Sequence, residues 1–95
     1  LIASSFYFYK AMFFVYILFS QKLNKYYIGS SQNIEERILR HNKGHSSFTK
    51  TGIPWVLVYK ESFPTRALAV NREKFIKSQK SVHYIENLLS LSSNG

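Results

Sequence analysis

The segment FFVYILFS at residues 13–20, followed after the mostly polar stretch QKLNK by YYIGS at residues 26–30, decides how this chain folds. The first run is β-branched and aromatic with neither glycine nor proline, which suits a strand covered on both faces. The second is a shorter strand of similar chemistry, and the loop between them predicts a hairpin. Side chains alternate along a strand, so Tyr16 shares a face with Phe14 and Leu18, and Tyr27 shares one with Gly29. Both phenols can therefore look into one cleft.

Downstream of the hairpin, Asn33 followed three residues later by Glu36 reads as a capping-box start, and Gly44 after Arg40 and Lys43 reads as a stop. A helix of roughly three turns is predicted, with Ile34 and Ile38 as its buried stripe and Arg37 and His41 one above the other on a flank. Residues 43–52 form a loop rich in Gly, Ser, Thr and Lys. Pro54 and Trp55 then open WVLVYKESF, a third strand expected to carry Val56, Val58 and Lys60 on one face and Trp55, Leu57, Tyr59 and Glu61 on the other. Pro64 and Thr65 begin a second helix running to about Lys80, with Ala69, Glu73, Ile76 and Lys80 on one stripe. A last helix from about Ser81 to Leu91 offers Tyr84, Ile85, Leu88 and Leu89 as its apolar face.

The chain has 95 residues, 13 basic and 5 acidic side chains, and a formal charge of +8. That length holds one domain of ordinary size, which excludes a two-domain enzyme. With 45% hydrophobic residues there is enough apolar surface for a small core, so wholesale disorder is excluded as well. The absence of cysteine removes a disulfide framework, a thiolate zinc site and a cysteine nucleophile together; it suits a reducing compartment, and a cytoplasmic location is expected. The positive charge points to a polyanionic partner. Residues 1–19 carry a single charge, Lys10, yet lack the basic start, the small-residue cleavage site and the leucine-rich character of a signal peptide or membrane span. The expected organisation is an extension at 1–11, a domain at 12–91 beginning near Met12, and a serine-rich tail at 92–95.

VYIL at 15–18, then YYIG at 26–29, then Arg37, His41 and the pair Arg72–Glu73, taken in order, resemble the GIY-YIG endonuclease family. The likeness spans residues 13–89 and is closest to the small, single-domain bacterial type, whose members often carry a hydrophobic residue where the first glycine of the name stands; here it is Val15. The resemblance implies an α+β fold with a three-stranded antiparallel sheet flanked by helices. It further implies hydrolysis of a nucleic-acid phosphodiester with one divalent ion, Mg²⁺ or Mn²⁺.

Attack on a phosphodiester needs an activated water, positive charge against the phosphate and help for the leaving oxygen. By resemblance, Glu73 is the metal ligand, since a hard cation accepts one carboxylate completed by waters and phosphate oxygens. Its alternative is a surface glutamate paired with Lys77 or Arg66. Arg37 would grip the scissile phosphate with its planar fork, and His41 would orient or deprotonate near the nucleophile. Tyr16 is implied as general base and Tyr27 as an orienting group; an unperturbed phenol titrates near 10, so the first role needs a cation nearby. Gly29 would allow close backbone approach. Ser30 stands where some members have a lysine, and Asn87 lies too far from Glu73 to join the site. Arg40, Lys43 and Lys50 complete a basic set with Arg37 for DNA contact, His45 and Lys50 being a solvated or DNA-tracking pair, while Trp55 is expected in the core.

The leading expectation is a metal-dependent DNA endonuclease that nicks branched or damaged substrates, in a DNA-repair setting. Sequence-specific recognition typically buries about 1,000 Å² or more of protein surface, often in an appended domain, for which this chain has no room. The alternative is a DNA- or RNA-binding module of the same fold without turnover. A membrane-surface role rests on residues 1–11 alone.

Overall fold

The computed structural model describes residues 12–94, so the expected extension at 1–11 lies outside the described residues. Its elements are β1 (Phe13–Ser20), β2 (Lys25–Ser31), α1 (Ile34–Asn42), a 3₁₀ turn (Lys50–Gly52), β3 (Trp55–Phe63), α2 (Arg66–Ser78) and α3 (Val82–Asn94). The sheet order is β2-β1-β3 with both pairs antiparallel, the α+β architecture expected of the chain. β1 is central, and Val15 through Leu18 are all buried, as its unbroken apolar run requires. The hairpin turns at Asn24, whose φ of 54° is the left-handed conformation asparagine tolerates.

Alternation along β1 divides the core into two. Val15 and Ile17 pack with Ile28, Ala69, Ile76 and Ile85, so α2 and α3 cover that face. Tyr16 and Leu18 pack with Ile34 and Trp55 on the other face, under α1 and the loop that follows it. Each fully buried isoleucine contributes roughly 1.5–3 kcal/mol, so the first cluster anchors the fold.

Helix boundaries follow the local chemistry. The Asn33 side chain accepts from the Glu36 amide at 3.1 Å to start α1, and Gly44, at φ 77°, turns the chain away after its end. Thr65 caps α2 by accepting from the Leu68 amide at 3.3 Å. Lys80, expected on the inward stripe of α2, lies outside it: the helix closes at Ser78 and Lys80 adopts a left-handed φ of 49° before Ser81 accepts from the Tyr84 amide at 3.1 Å. α3 presents Ile85, Tyr84, Leu88 and Leu89 to the core as expected and continues to Asn94, through most of the stretch expected to be a tail.

β3 corrects a second expectation. Ile17 pairs with Tyr59 but Leu18 pairs with Leu57, so Val58 is an extra residue, a β-bulge. Trp55 and Leu57 therefore face Tyr16 and Leu18, whereas Tyr59, Glu61 and Phe63 face Val15 and Ile17. Strict alternation would have put Trp55, Tyr59 and Glu61 together. Among the described residues, no helix is long and apolar enough to cross a membrane.

Candidate active site

Tyr16 stands opposite Gly29 in the hairpin ladder and Leu18 stands opposite Tyr27, so the two phenols rise from one face of adjacent strands. Their ring centroids are 6.4 Å apart. Gly29 is what allows Tyr16 to lie across β2: a Cβ there would sit 2.5 Å from Tyr16 Oη and 2.6 Å from Cζ. The Tyr16 side chain is 1% exposed. Its hydroxyl is pushed up to about 12, chiefly by burial and then by Tyr27; Glu73 adds to the rise and Arg37 opposes it. Groups from both faces of the sheet thus act on one hydroxyl, which is protonated at neutral pH.

Arg37 and His41 lie one turn apart on α1, the first exposed and the second 6% exposed. The His41 ring meets the Tyr27 ring edge-on at 4.7 Å, and His41 Nδ1 is hydrogen-bonded to Thr49 Oγ1 at 2.7 Å. Burial, reinforced by Arg37 and Arg40, lowers the His41 pKa below its ordinary 6.5, so the imidazole is neutral at pH 7. A cleft of about 120 Å³ opens here, lined by Tyr27, Arg37, Arg40, His41, His45 and Ser46. It gathers Arg37 and Arg40 but neither Lys43 nor Lys50, which are exposed elsewhere on the loop. His45, read from sequence as a companion of Lys50, belongs to the cleft instead.

Glu73 approaches from the opposite face of the sheet. Its Oε1 accepts from the Ser30 hydroxyl at 2.6 Å, which ties α2 to β2 beside Gly29, and its Oε2 accepts from Lys77 Nζ at 2.6 Å. The pairing with Lys77 weighed from sequence is therefore present, whereas Arg66 lies over the Phe13 ring at 4.8 Å. Arg72 binds both oxygens of Glu61 on β3 at 3.1–3.2 Å, and the Tyr59 hydroxyl also donates to Glu61. Arg72 offsets the charge of Glu61, and the carboxylate felt by Tyr16 is that of Glu73. Among the described residues, no group of three His, Cys, Asp or Glu could hold a metal. The donors fit a hard divalent cation that takes one carboxylate, with the Ser30 oxygen alongside and the remainder from water or phosphate. Lys77 is 51% exposed on its side-chain atoms, so its ion pair is of the weak, surface kind that such a cation can displace.

Three residues of this region escaped the sequence reading. Thr49, 1% exposed, holds His41 and also accepts from the Trp55 indole N–H through its carbonyl at 2.7 Å. Asn42 brackets the Trp55 backbone, its Nδ2 donating to the Trp55 carbonyl at 3.0 Å and its Oδ1 accepting from the Trp55 amide at 2.7 Å. Phe48 projects into solvent beside Tyr27, and a second cleft of about 280 Å³ lies between them. The available signal was Phe48 itself, the only Phe, Tyr or Trp within residues 43–52.

A family model described as the GIY-YIG catalytic domain matches residues 12–84. A UPF0213 protein of Staphylococcus haemolyticus is 44% identical over 69 residues, covering 72% of this chain and 83% of that protein. A UPF0213 protein of Haloquadratum walsbyi is 40% identical over 53 residues, covering 55% of this chain and 60% of that protein. The solution NMR structure of a UPF0213 protein from Bacillus halodurans superposes with a TM-score of 0.53 at 31% identity, covering 84% of each chain.

Proposed function

The chain belongs to the GIY-YIG family of nucleases, and from that premise we propose that it hydrolyses DNA phosphodiester bonds as a metal-dependent endonuclease directed by substrate structure rather than sequence. The observation that carries this reading is the convergence about Gly29: Tyr16 lies across it with the Tyr27 ring 6.4 Å away, and Ser30, the next residue, binds Glu73 at 2.6 Å.

Each residue has a role consistent with its surroundings. Arg37 and Arg40, at the basic cleft, grip the phosphate, Arg37 with a fork that matches two of its oxygens. Neutral His41, oriented by Thr49, is able to accept a proton or a hydrogen bond from water beside Tyr27. Tyr16 holds its proton at neutral pH and gives it up only where cationic charge offsets its burial. Glu73, with Ser30 beside it, is the ligand for Mg²⁺ or Mn²⁺; the ion, when bound, supplies positive charge against the charge developing on the phosphate. A nucleic-acid-binding module without turnover is the second reading, favoured by the engagement of both Glu73 oxygens, one by Ser30 and one by Lys77.

Nicking of supercoiled plasmid and of branched DNA by the purified protein and by Glu73→Ala, each with Mg²⁺ or Mn²⁺, tests the proposal. The expected result is nicked product from the wild type alone, with both proteins binding DNA. Equal nicking by the two would remove Glu73 as metal ligand, and binding without nicking in either would select the second reading.

A further inference from the structure

The larger of the two clefts shares only Tyr27 with the basic one. That residue is a wall of both, yet their characters differ: the smaller, about 120 Å³, is basic, and the larger, about 280 Å³, is walled by Tyr27, Phe48, Trp55 and Leu23 with Lys25 and Thr51 among its polar members. Neither cleft has a carboxylate in its lining. Phe48 is 82% exposed, with its ring centroid 6.5 Å from that of Tyr27. A lone exposed ring is ordinary on a protein surface, but this one forms a wall of an aromatic cleft, where a flat apolar ligand would remove it from water.

The loop does hold it there. Thr49, the next residue, is fixed by its side chain to His41 and by its carbonyl to the Trp55 indole, while its amide donates to the Ser46 carbonyl at 3.3 Å. The backbone is thus anchored immediately beside the exposed ring.

We propose that this cleft receives an unpaired base of a DNA strand whose adjacent phosphate sits at Arg37 and Arg40. The inference rests on the nuclease reading above and specifies its substrate. A nucleotide is a flat aromatic ring attached to a phosphate, which matches an aromatic cleft and a basic cleft sharing one wall. A base inside a duplex is covered on both faces by its neighbours and offers no face to Phe48 or Tyr27. The substrate is accordingly single-stranded DNA, or the unpaired nucleotides at a branch or a lesion.

Binding measured by fluorescence polarisation in EDTA, where no cleavage occurs, tests this. The probes are a short end-labelled oligothymidylate, an abasic strand of equal length with the same phosphates, a paired duplex, and the equivalent oligouridylate. The proteins are wild type, Phe48→Ala, Phe48→Tyr and Arg37→Ala; Phe48 is exposed enough that its replacement leaves the melting temperature unchanged. The expected result is tighter binding of oligothymidylate than of the abasic strand, a loss of about tenfold in Phe48→Ala for oligothymidylate only, and recovery in Phe48→Tyr. Arg37→Ala should weaken all probes alike. Unchanged oligothymidylate binding in Phe48→Ala, or an equal loss for the abasic strand and duplex, would overturn the base site while leaving the nuclease reading intact. Base-dependent binding through Phe48 in a protein that never nicks would do the reverse. Preference for oligouridylate would overturn the assignment to DNA, and failure to bind any probe would overturn both.

Discussion

At Tyr16 the requirements of packing and of chemistry pull in opposite directions. Burial completes the core on the α1 side, and the same burial pushes the hydroxyl up to about 12. If Tyr16 acts as the base in strand cleavage, the reactive phenolate is a small fraction at neutral pH, and log kcat/KM should rise with a slope of about one per pH unit above pH 7. A flat profile would leave Tyr16 as an orienting phenol. Tyr16→Phe keeps the ring and deletes only the hydroxyl, so nicking should fall on the order of 10²–10⁴-fold. Gly29→Ala attacks the same atom from below, because its methyl group would stand 2.5 Å from Oη. It should cost about 1–3 kcal/mol by overpacking, read from chemical denaturation. His41 carries the opposite burden, with a folded pKa below 6.5. The unfolded chain therefore binds its proton first on acidification, so the His41 contribution is complete above pH 6.5 and is lost as pH falls through the lowered folded value. Stability measured from pH 7.5 to 5 should decline in the wild type, and less steeply in His41→Gln. The placement of Tyr16, Tyr27, Arg37 and His41 was legible because each pair is related by strand alternation or by one helical turn. Thr49 was not, because its contact with His41 is made by a loop that no periodicity describes.

Among the elements, β3 shows most clearly what periodicity cannot reveal. Every residue from Trp55 to Tyr59 is a good strand former, so nothing in their chemistry marks Val58 as the bulged one. The bulge lets a single edge strand serve both cores, Trp55 in one and Tyr59 in the other. It also brings Glu61 to the face covered by α2, where Arg72 meets it. That pair fastens to the sheet the helix that carries Glu73, and Arg72→Ala strands Glu61 half-buried with only the Tyr59 hydroxyl. A loss of about 2 kcal/mol is expected, which for a domain of this size is roughly 8–16 °C in Tm. A change under a few degrees would mean that the apolar cluster alone seats α2. Helix starts were legible to the residue, since Asn33 and Thr65 act on their own neighbours. The end of α2 was not, because Lys80 leaves the helix through a backbone conformation that lysine does not advertise.

For the molecule as a whole, the distribution of charge matters more than its sum of +8. Glu35 and Glu36 sit in the first turn of α1, Glu61 is paired with Arg72 and Glu73 with Lys77, so the basic cleft has no acid in its lining. If Arg37, Arg40, Lys43 and Lys50 each neutralise one phosphate of a duplex, affinity should fall roughly 10²-fold between 50 and 200 mM salt, with little dependence on sequence. A Kd insensitive to salt, or a strong preference for one short sequence, would contradict this. Titrations with single-stranded DNA need no attached dye. Trp55 is the single tryptophan of the chain, it walls the larger cleft, and its indole N–H is committed to Thr49. With excitation selective for tryptophan, the intrinsic emission therefore originates at one spot, and quenching on addition of an oligonucleotide would report occupancy of that cleft.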